Sequence, residues 1–398
     1  MGIDDRATSQ PPGAMRGAFV GTVALVTVFA AASAPIPLYA TWQQQLGISA
    51  SDVSMTIVMY LFGVLTVLFF AGSLSDASGR RPTVGAALAC GVAGCLLFMG
   101  LSNGPMLQFA RFVQGVSCAL SMSATSAFVI DCTSERHRTF GMTIASTGYL
   151  IGLTVGSLGI GFFATVSTAY WQIFAVFGVI MLITMLALPF TPETVQNRIT
   201  LKKAIKPMTH VPAHLRGLLP IVAGGYISTW SIGFFFQSLA TPASVDYFAA
   251  TDPLIPSLVL ALAMAPSALG GPLSARIGTR PSMIFGYSIM FCAAAALEVC
   301  MLMGVLVPYL LIEVVFAITS GMILSSSLHM LISASTPQEN ASVVTLANLS
   351  GYVGSTVVST IQTALTATFD LATVYAIIVL LAAISIVPGC AAMFKQRR

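Results

Sequence analysis

The chain has 398 residues, of which 56% are hydrophobic and only 8% charged, with a net charge of +4. A soluble domain carries roughly 25% charged residues, so this composition excludes an ordinary water-soluble fold and makes the bilayer the solvent. The mild basic balance gives no reason to invoke a nucleic-acid partner, because its placement along the chain accounts for it.

Twelve apolar runs follow one another, at roughly 17–42, 53–75, 83–102, 105–131, 140–165, 170–190, 217–241, 252–273, 282–304, 305–331, 341–368 and 371–394. Each reaches the length of about 20 residues that a helix needs to cross a bilayer. They are apolar all round, without the ten-residue alternation of a membrane barrel. The first run follows Arg16 and holds "AAASA" (30–34), which resembles a signal peptide and its cleavage site. It continues through "PIPLYATW", so it reads as a retained first helix, broken by prolines near its outer end.

Sixteen of the 17 Lys and Arg residues flank alternate ends of these runs, and the seventeenth is Arg111. The loops around 43–52, 103–104, 166–169, 242–251 and 369–370 contain none. By the positive-inside rule both termini are cytoplasmic and the number of spans is even. Seven cysteines form no CxxC and no Cys/His cluster. They read as small buried hydrophobes, and no metal or other cofactor is expected.

The second run ends in "GSLSDASGRRP" (72–82), and "GPLSARIGTRP" (271–281) repeats it 199 residues later. "STGYLIG" (146–152) is echoed by "LSGYVG" (349–354). The chain therefore reads as two parallel copies of a six-helix unit, an architecture found among transporters. The organisation is a cytoplasmic tail at 1–16, a bundle at 17–190, a basic linker at 191–216, a second bundle at 217–394 and a tail at 395–398.

These motifs carry a family resemblance. Gly72, Leu74, Asp76, Gly79, Arg80 and Arg81 resemble the loop signature G-x-L-x-D-x-x-G-R-[KR] between helices 2 and 3 of the major facilitator superfamily. "RFVQGVSCA" (111–119) resembles the R-x-x-Q-G signature of its twelve-helix drug:proton antiporter branch. "GLTVGSLGIG" (152–161) resembles the helix 5 signature of exporters, with Ser157 in place of the proline and Ile160 in place of a glycine. The resemblance implies an all-α integral membrane fold with two pseudo-symmetric six-helix bundles, working by alternating access. It also implies a gating loop in which Asp76 faces the N-terminus of helix 11, near Ala341 and Ser342, where a helix dipole stabilises it. Gly278 and Arg280 belong to the second copy of that loop, where Ala275 replaces the aspartate.

Intramembrane ionisable residues are functional candidates. Arg111 lies in the fourth run, with Gln114, Gly115, Cys118 and Met122 on its face. Glu313 lies in the tenth run, at the position of Arg111 in the other copy. One reading has them facing each other across a central cavity, with Glu313 carrying the proton as Arg111 approaches and retreats. The other has a static ion pair or a snorkelling glutamate. Glu298 is the rival carrier, although near the outer end of a peripheral helix it reads better as snorkelling. Asp131 joins the proton-coupling group; a helix C-terminus disfavours an aspartate, and the resemblance supplies Arg80 as its partner. His329 reads as a hydrogen-bonded filler more than a relay.

The seventh run places Tyr226, Trp230, Gly233, Phe234 and Gln237 on one face, and Tyr39, Tyr60 and Gln114 add to a candidate substrate site. An aromatic, methionine-rich cavity suits lipophilic or amphipathic ligands. Gly148, Gly152, Gly156 and Gly159 suggest a close helix contact, read either as a static interface or as a sliding seam between the halves. The function expected is proton-coupled export of a small lipophilic or amphipathic compound through the inner membrane, by a monomer energised by the proton gradient. The alternatives are a proton-coupled importer of an organic anion clamped by Arg111, and a transporter-like receptor. No Ser/His/Asp arrangement or P-loop suggests an enzyme.

Overall fold

The computed structural model describes residues 13–71, 74–134, 137–195, 200, 213–250, 253–336 and 340–395, and every regular element among them is helical. Twelve long segments follow in order. They are α1 Ala14–Leu46, α2 Ala50–Ala71, α3 Arg80–Met99, α4 Gly104–Asp131, α5 Arg138–Ala164 and α6 Trp171–Ala187. The second series is α7 Leu219–Phe248, α8 Leu254–Ile277, α9 Thr279–Met303, α10 Leu306–Ser333, α11 Asn340–Leu365 and α12 Leu371–Lys395.

Eleven of these are long and apolar enough to cross a membrane. The exception is α11, a 26-residue helix rich in serine and threonine. One face points inward, with Ser355, Ser359, Gln362 and Thr363 buried, while Val353, Val357 and Ile361 are exposed on the other. The face shielded by neighbouring helices can carry polar groups that a lipid-facing one cannot.

The apolar core divides into two large clusters and a small one. The first runs from Ala24 to Leu188, with Phe234 and Leu260 added from the second half, the second from Ile232 to Ala382, and the small one joins Leu215, Val222, Tyr226, Leu331 and Ala347. Between the halves, α2 packs on α11 and α5 packs on α8. Arg80, Arg81, Arg138, Arg216, Arg276 and Arg280 stand at one end of the helices, here called the basic end. At the opposite end three buried hydrogen bonds join the halves. The Ser54 hydroxyl donates to Thr363 Oγ1 at 3.0 Å, Thr241 to Ile36 O at 2.5 Å and Ser157 to Ser257 O at 3.0 Å.

The duplicated motif reappears in the backbone. Gly79 and Gly278 begin α3 and α9 with φ of 108° and 95° and ψ of 157° and 154°. A side chain rarely tolerates that conformation, so the second copy keeps its glycine although it has lost the aspartate.

Close helix approach is where glycine matters most. A Cβ on Gly115 of α4 would run into Tyr60 O of α2, and one on Gly63 into Phe112 O. Gly148, Gly152 and Gly156 of α5 meet Leu25, Phe29 and Ala30 of α1. That contact lies inside the first bundle, so these glycines do not form a seam between the halves. Gly159 is off this face, since its nearest neighbour is Ile173 at 3.8 Å. The step from 156 to 159 is three residues, which turns the helix by less than a full revolution. Among the α5 residues that meet the other half are Ser157 and Gly161, both against Ser257.

These contacts predict opposite outcomes for the same substitution. Gly115→Ala must push two backbones apart and is expected to lower the unfolding temperature of the detergent-solubilised protein by several degrees. Gly159→Ala has room and removes a helix-interior glycine, a change that favours a helix by about 0.8–1.0 kcal/mol. Its unfolding temperature is expected to stay level or rise.

Candidate functional site

A cavity of about 120 Å³ lies between the two halves. The first half contributes Phe29, Tyr60, Met122, Tyr149, Leu150 and Leu153; the second contributes residues of α7, α8, α10 and α11, Trp230, Gln237, Met264, Ser320 and Tyr352 among them. Trp230 is the centre of an aromatic group, with ring centroids 5.2 Å from Tyr226, 6.2 Å from Phe234 and 4.5 Å from Tyr352. Two helices lose regularity where they reach the cavity. In α4 a π turn spans Ser121–Thr125 and carries Met122. In α8 a 3₁₀ turn spans Ala265–Leu269 around Pro266 and carries Ser267. Such interruptions are tolerated at membrane depth where they line a cavity or are buried in protein.

Of the sequence-derived substrate residues, Tyr60, Trp230, Phe234 and Gln237 line this cavity. Tyr226 stands behind the wall, packed on Trp230. Tyr39 is fully buried beside Trp42 and Gln114 is buried against α1, so neither reaches the cavity.

Gln114 and Arg111 have another task. Pro35 has no N–H to offer Ala31 O, four residues back, and the helix breaks into a 3₁₀ turn at Ile36–Leu38. The Gln114 amide donates to Ala31 O at 2.8 Å. Arg111 Nη1 donates to Ala32 O at 2.6 Å and to Gln114 Oε1 at 2.9 Å. The guanidinium also lies 4.9 Å from the centroid of the Tyr60 ring. The R-x-x-Q pair thus braces the break in α1, and the ring of Tyr60 lies between Arg111 and the cavity.

Glu313 does not meet Arg111. It is fully buried, and neither carboxyl oxygen has a hydrogen-bond partner. Its electrostatic neighbours are Tyr309, one turn away on α10, and Tyr375 on α12. Equal positions in the two copies therefore do not make the two side chains face each other. Arg111 turns toward α1 and α2, while Glu313 turns into the core of the second bundle. Glu298 is half-buried on α9, within electrostatic range of Tyr375. His329 Nδ1 lies 3.2 Å from Thr279 Oγ1.

At the basic end Arg80 Nε lies 3.5 Å from Asp131 Oδ2, and Thr194 donates to the same oxygen at 2.9 Å. Glu193, which the sequence reading missed, accepts from the backbone N–H groups of Arg80 and Arg81 at 2.9 and 3.2 Å. Gly79 has no side chain to cap α3, so a carboxylate from beyond α6 caps it instead. The signal was present in "TPET" (191–194), but nothing local connects that stretch to Arg80. The second copy closes with hydroxyls and an imidazole, Ser274 to Ser325 at 3.2 Å and Thr279 to His329. Gly72 and the side chains of Asp76, Ala341 and Ser342 lie outside the described residues, and so does the contact expected among them. Arg81 is half-buried, and Arg276 and Arg280 are exposed.

Beside this cap, Cys132 packs against Gly17 of α1. Burial pushes its thiol up to about 12, with the charges of Asp131 and Glu193 adding to the rise.

Two bundles around a cavity, hydrogen-bonded to each other at the end away from the basic residues, have the architecture of multi-pass membrane transporters. The Major Facilitator Superfamily model matches residues 21–359, and the chain belongs to that family. Multidrug resistance protein 2 of Bacillus subtilis is 29% identical over 131 residues, 32% of this chain and 33% of the relative. Multidrug resistance protein MdtL of a Shewanella species is 33% identical over 95 residues, 24% of each chain. Citrate exporter 1 of Aspergillus niger is 27% identical over 186 residues, 45% of this chain and 35% of the relative. The matched segments thus span a quarter to a third of these relatives' lengths. A bacterial homologue of the human lysosomal transporter Spinster, solved inward-facing and unoccupied, superposes with a TM-score of 0.68 at 13% identity over 96% of both chains.

Two measurements check this geometry. Gln114→Ala leaves Ala31 O without its donor inside the bilayer, so a loss of about 1–3 kcal/mol is expected, read as a lower unfolding temperature. Cys132, buried and with its thiol pushed up to about 12, should resist iodoacetamide at pH 7.5 in the folded protein. Mass spectrometry should find it alkylated only after denaturation.

Proposed function

We propose that the protein exports a small lipophilic or amphipathic compound in exchange for protons, across the bacterial inner membrane, by alternating access of its two halves. The observation that carries this reading is the aromatic cavity between the bundles, with the halves hydrogen-bonded together at the end away from the basic residues. The distribution of Lys and Arg supports a cytoplasmic basic end, which puts the hydrogen-bonded end outside. Similarity to multidrug resistance proteins supports export of apolar cargo. The anion-importing alternative loses support because Arg111 is engaged by α1 and screened by Tyr60.

In this reading Glu313 carries the proton. An unpaired carboxylate in a dry protein interior is costly, so the anion needs water or a partner that another conformation supplies. Phe316, one turn along α10, lines the cavity and packs on Phe236 at 5.7 Å. A change of state at Glu313 can therefore reach the cavity wall through α10 itself. The Arg80–Asp131–Glu193 cap holds the first bundle's basic end as one body while the bundles rock.

The test is proton movement in sealed proteoliposomes with a pH-sensitive dye, on adding a panel of neutral, cationic and anionic amphiphiles. Exchange of ligand against protons, reduced at least about tenfold in Glu313→Gln, is the expected result, a loss of about 1.4 kcal/mol or more in coupling. Movement of ligand and proton in the same direction would favour the importer. Ligand movement without protons would make Glu313 structural and the protein a facilitator.

A further inference from the structure

The charge of the cargo is written in the cavity wall. Among the described residues, no Asp, Glu, Lys, Arg or His lines it. The two buried intramembrane charges nearest to consideration are both withheld. Arg111 gives its Nη1 to a backbone and an amide oxygen and is covered by the Tyr60 ring, while Glu313 lies outside the lining. What the wall offers is neutral: phenols, the Gln237 amide and serine or threonine hydroxyls.

One of those hydroxyls has no partner. A serine in a helix commonly bonds back to the carbonyl four residues before it. For Ser320 that carbonyl is Phe316 O, which already accepts from Thr319 Oγ1 at 3.0 Å. Ser320 is 7% exposed, and its Oγ has no hydrogen-bond partner. By contrast, the cavity hydroxyls of Thr229 and Ser267 are used on carbonyls of their own helices, Gly225 O at 2.8 Å and Met264 O at 2.6 Å. A buried hydroxyl left without a partner is unfavourable, and a ligand oxygen would relieve it.

Size narrows the ligand further. A cavity of about 120 Å³ is close to the roughly 150 Å³ cavity that accepts a benzene ring. An ion entering this wall would leave its hydration for neutral groups alone, which is unfavourable without a counter-charge. Aromatic rings can attract cations, but Trp230 is already closely packed by Tyr226, Phe234 and Tyr352.

We infer that the cavity takes an uncharged amphiphile of about single-ring size, carrying an acceptor oxygen that Ser320 Oγ–H holds. This rests on the reading of the cavity as the transport site and names the substrate class within it.

The test uses the purified full-length protein and three probes of matched size: N-methylbenzamide, benzyltrimethylammonium and benzoate. Binding is read by quenching of Trp230, with Trp230→Phe identifying the signal against Trp42 and Trp171. The amide should quench, and Ser320→Ala should weaken it about three- to tenfold, as loss of one hydrogen bond implies. Ser326→Ala removes another partnerless buried hydroxyl of α10 that is not in the wall, and should change nothing. The two ions should bind at least about tenfold more weakly than the amide. An ion bound as tightly as the amide, or amide binding untouched by Ser320→Ala, would overturn the inference. So would the absence of Trp230-dependent quenching by all three probes. Amide binding without proton exchange in liposomes would uphold this inference and sink the proton-coupled reading instead.

Discussion

Within a bilayer no water arrives to serve a carbonyl that its own helix has abandoned, and this constraint organises the first bundle. Pro35 frees Ala31 O in the middle of a buried helix. The remedy comes from α4, whose Gln114 and Arg111 reach across to α1. That reach requires α4 to be held firmly in the bundle, which Gly63 and Gly115 permit by letting α2 and α4 touch backbone to backbone. The Tyr60 ring then covers the guanidinium. A residue pair that looks like chemistry in the sequence is thereby committed to holding a broken helix in place.

The two bundles share an ancestor's plan and differ in how they are tied. Gly79 and Gly278 keep the same unusual backbone, yet the first loop is capped by Glu193 and paired with Asp131, whereas the second rests on hydroxyls and an imidazole. The intramembrane charges are divided likewise. The cation is hydrogen-bonded through Nη1 in the first bundle, and the carboxyl is unengaged in the second.

Much of this was legible in the sequence. Helix number, the duplication and the pairing of motif glycines follow from run length and repeat spacing. The twelfth segment by hydropathy, α11, reads as apolar only in part because one of its faces, with Ser355, Ser359 and Gln362, is buried in the protein. What spacing could not provide was rotation about each helix axis. Arg111 and Glu313 occupy equivalent positions but turn to different neighbours. Gly159 shares a motif with Gly156 yet sits on another face, and Tyr39 lies beyond the proline break that redirects its helix. Glu193 was invisible because its partners are 112 and 113 residues away. Ser320 gave no sign because an unpartnered hydroxyl is a property of three-dimensional surroundings.

A cavity wall without fixed charge also bears on energetics at the scale of the cell. If an uncharged cargo leaves as a proton enters, the proton's charge is the only one to cross in a cycle. Such exchange is electrogenic, and each proton draws about 2.3 kcal/mol from every 100 mV of membrane potential. Export of this kind continues on voltage alone when the pH on the two sides is equal, and at equal pH it ceases when the membrane is depolarised.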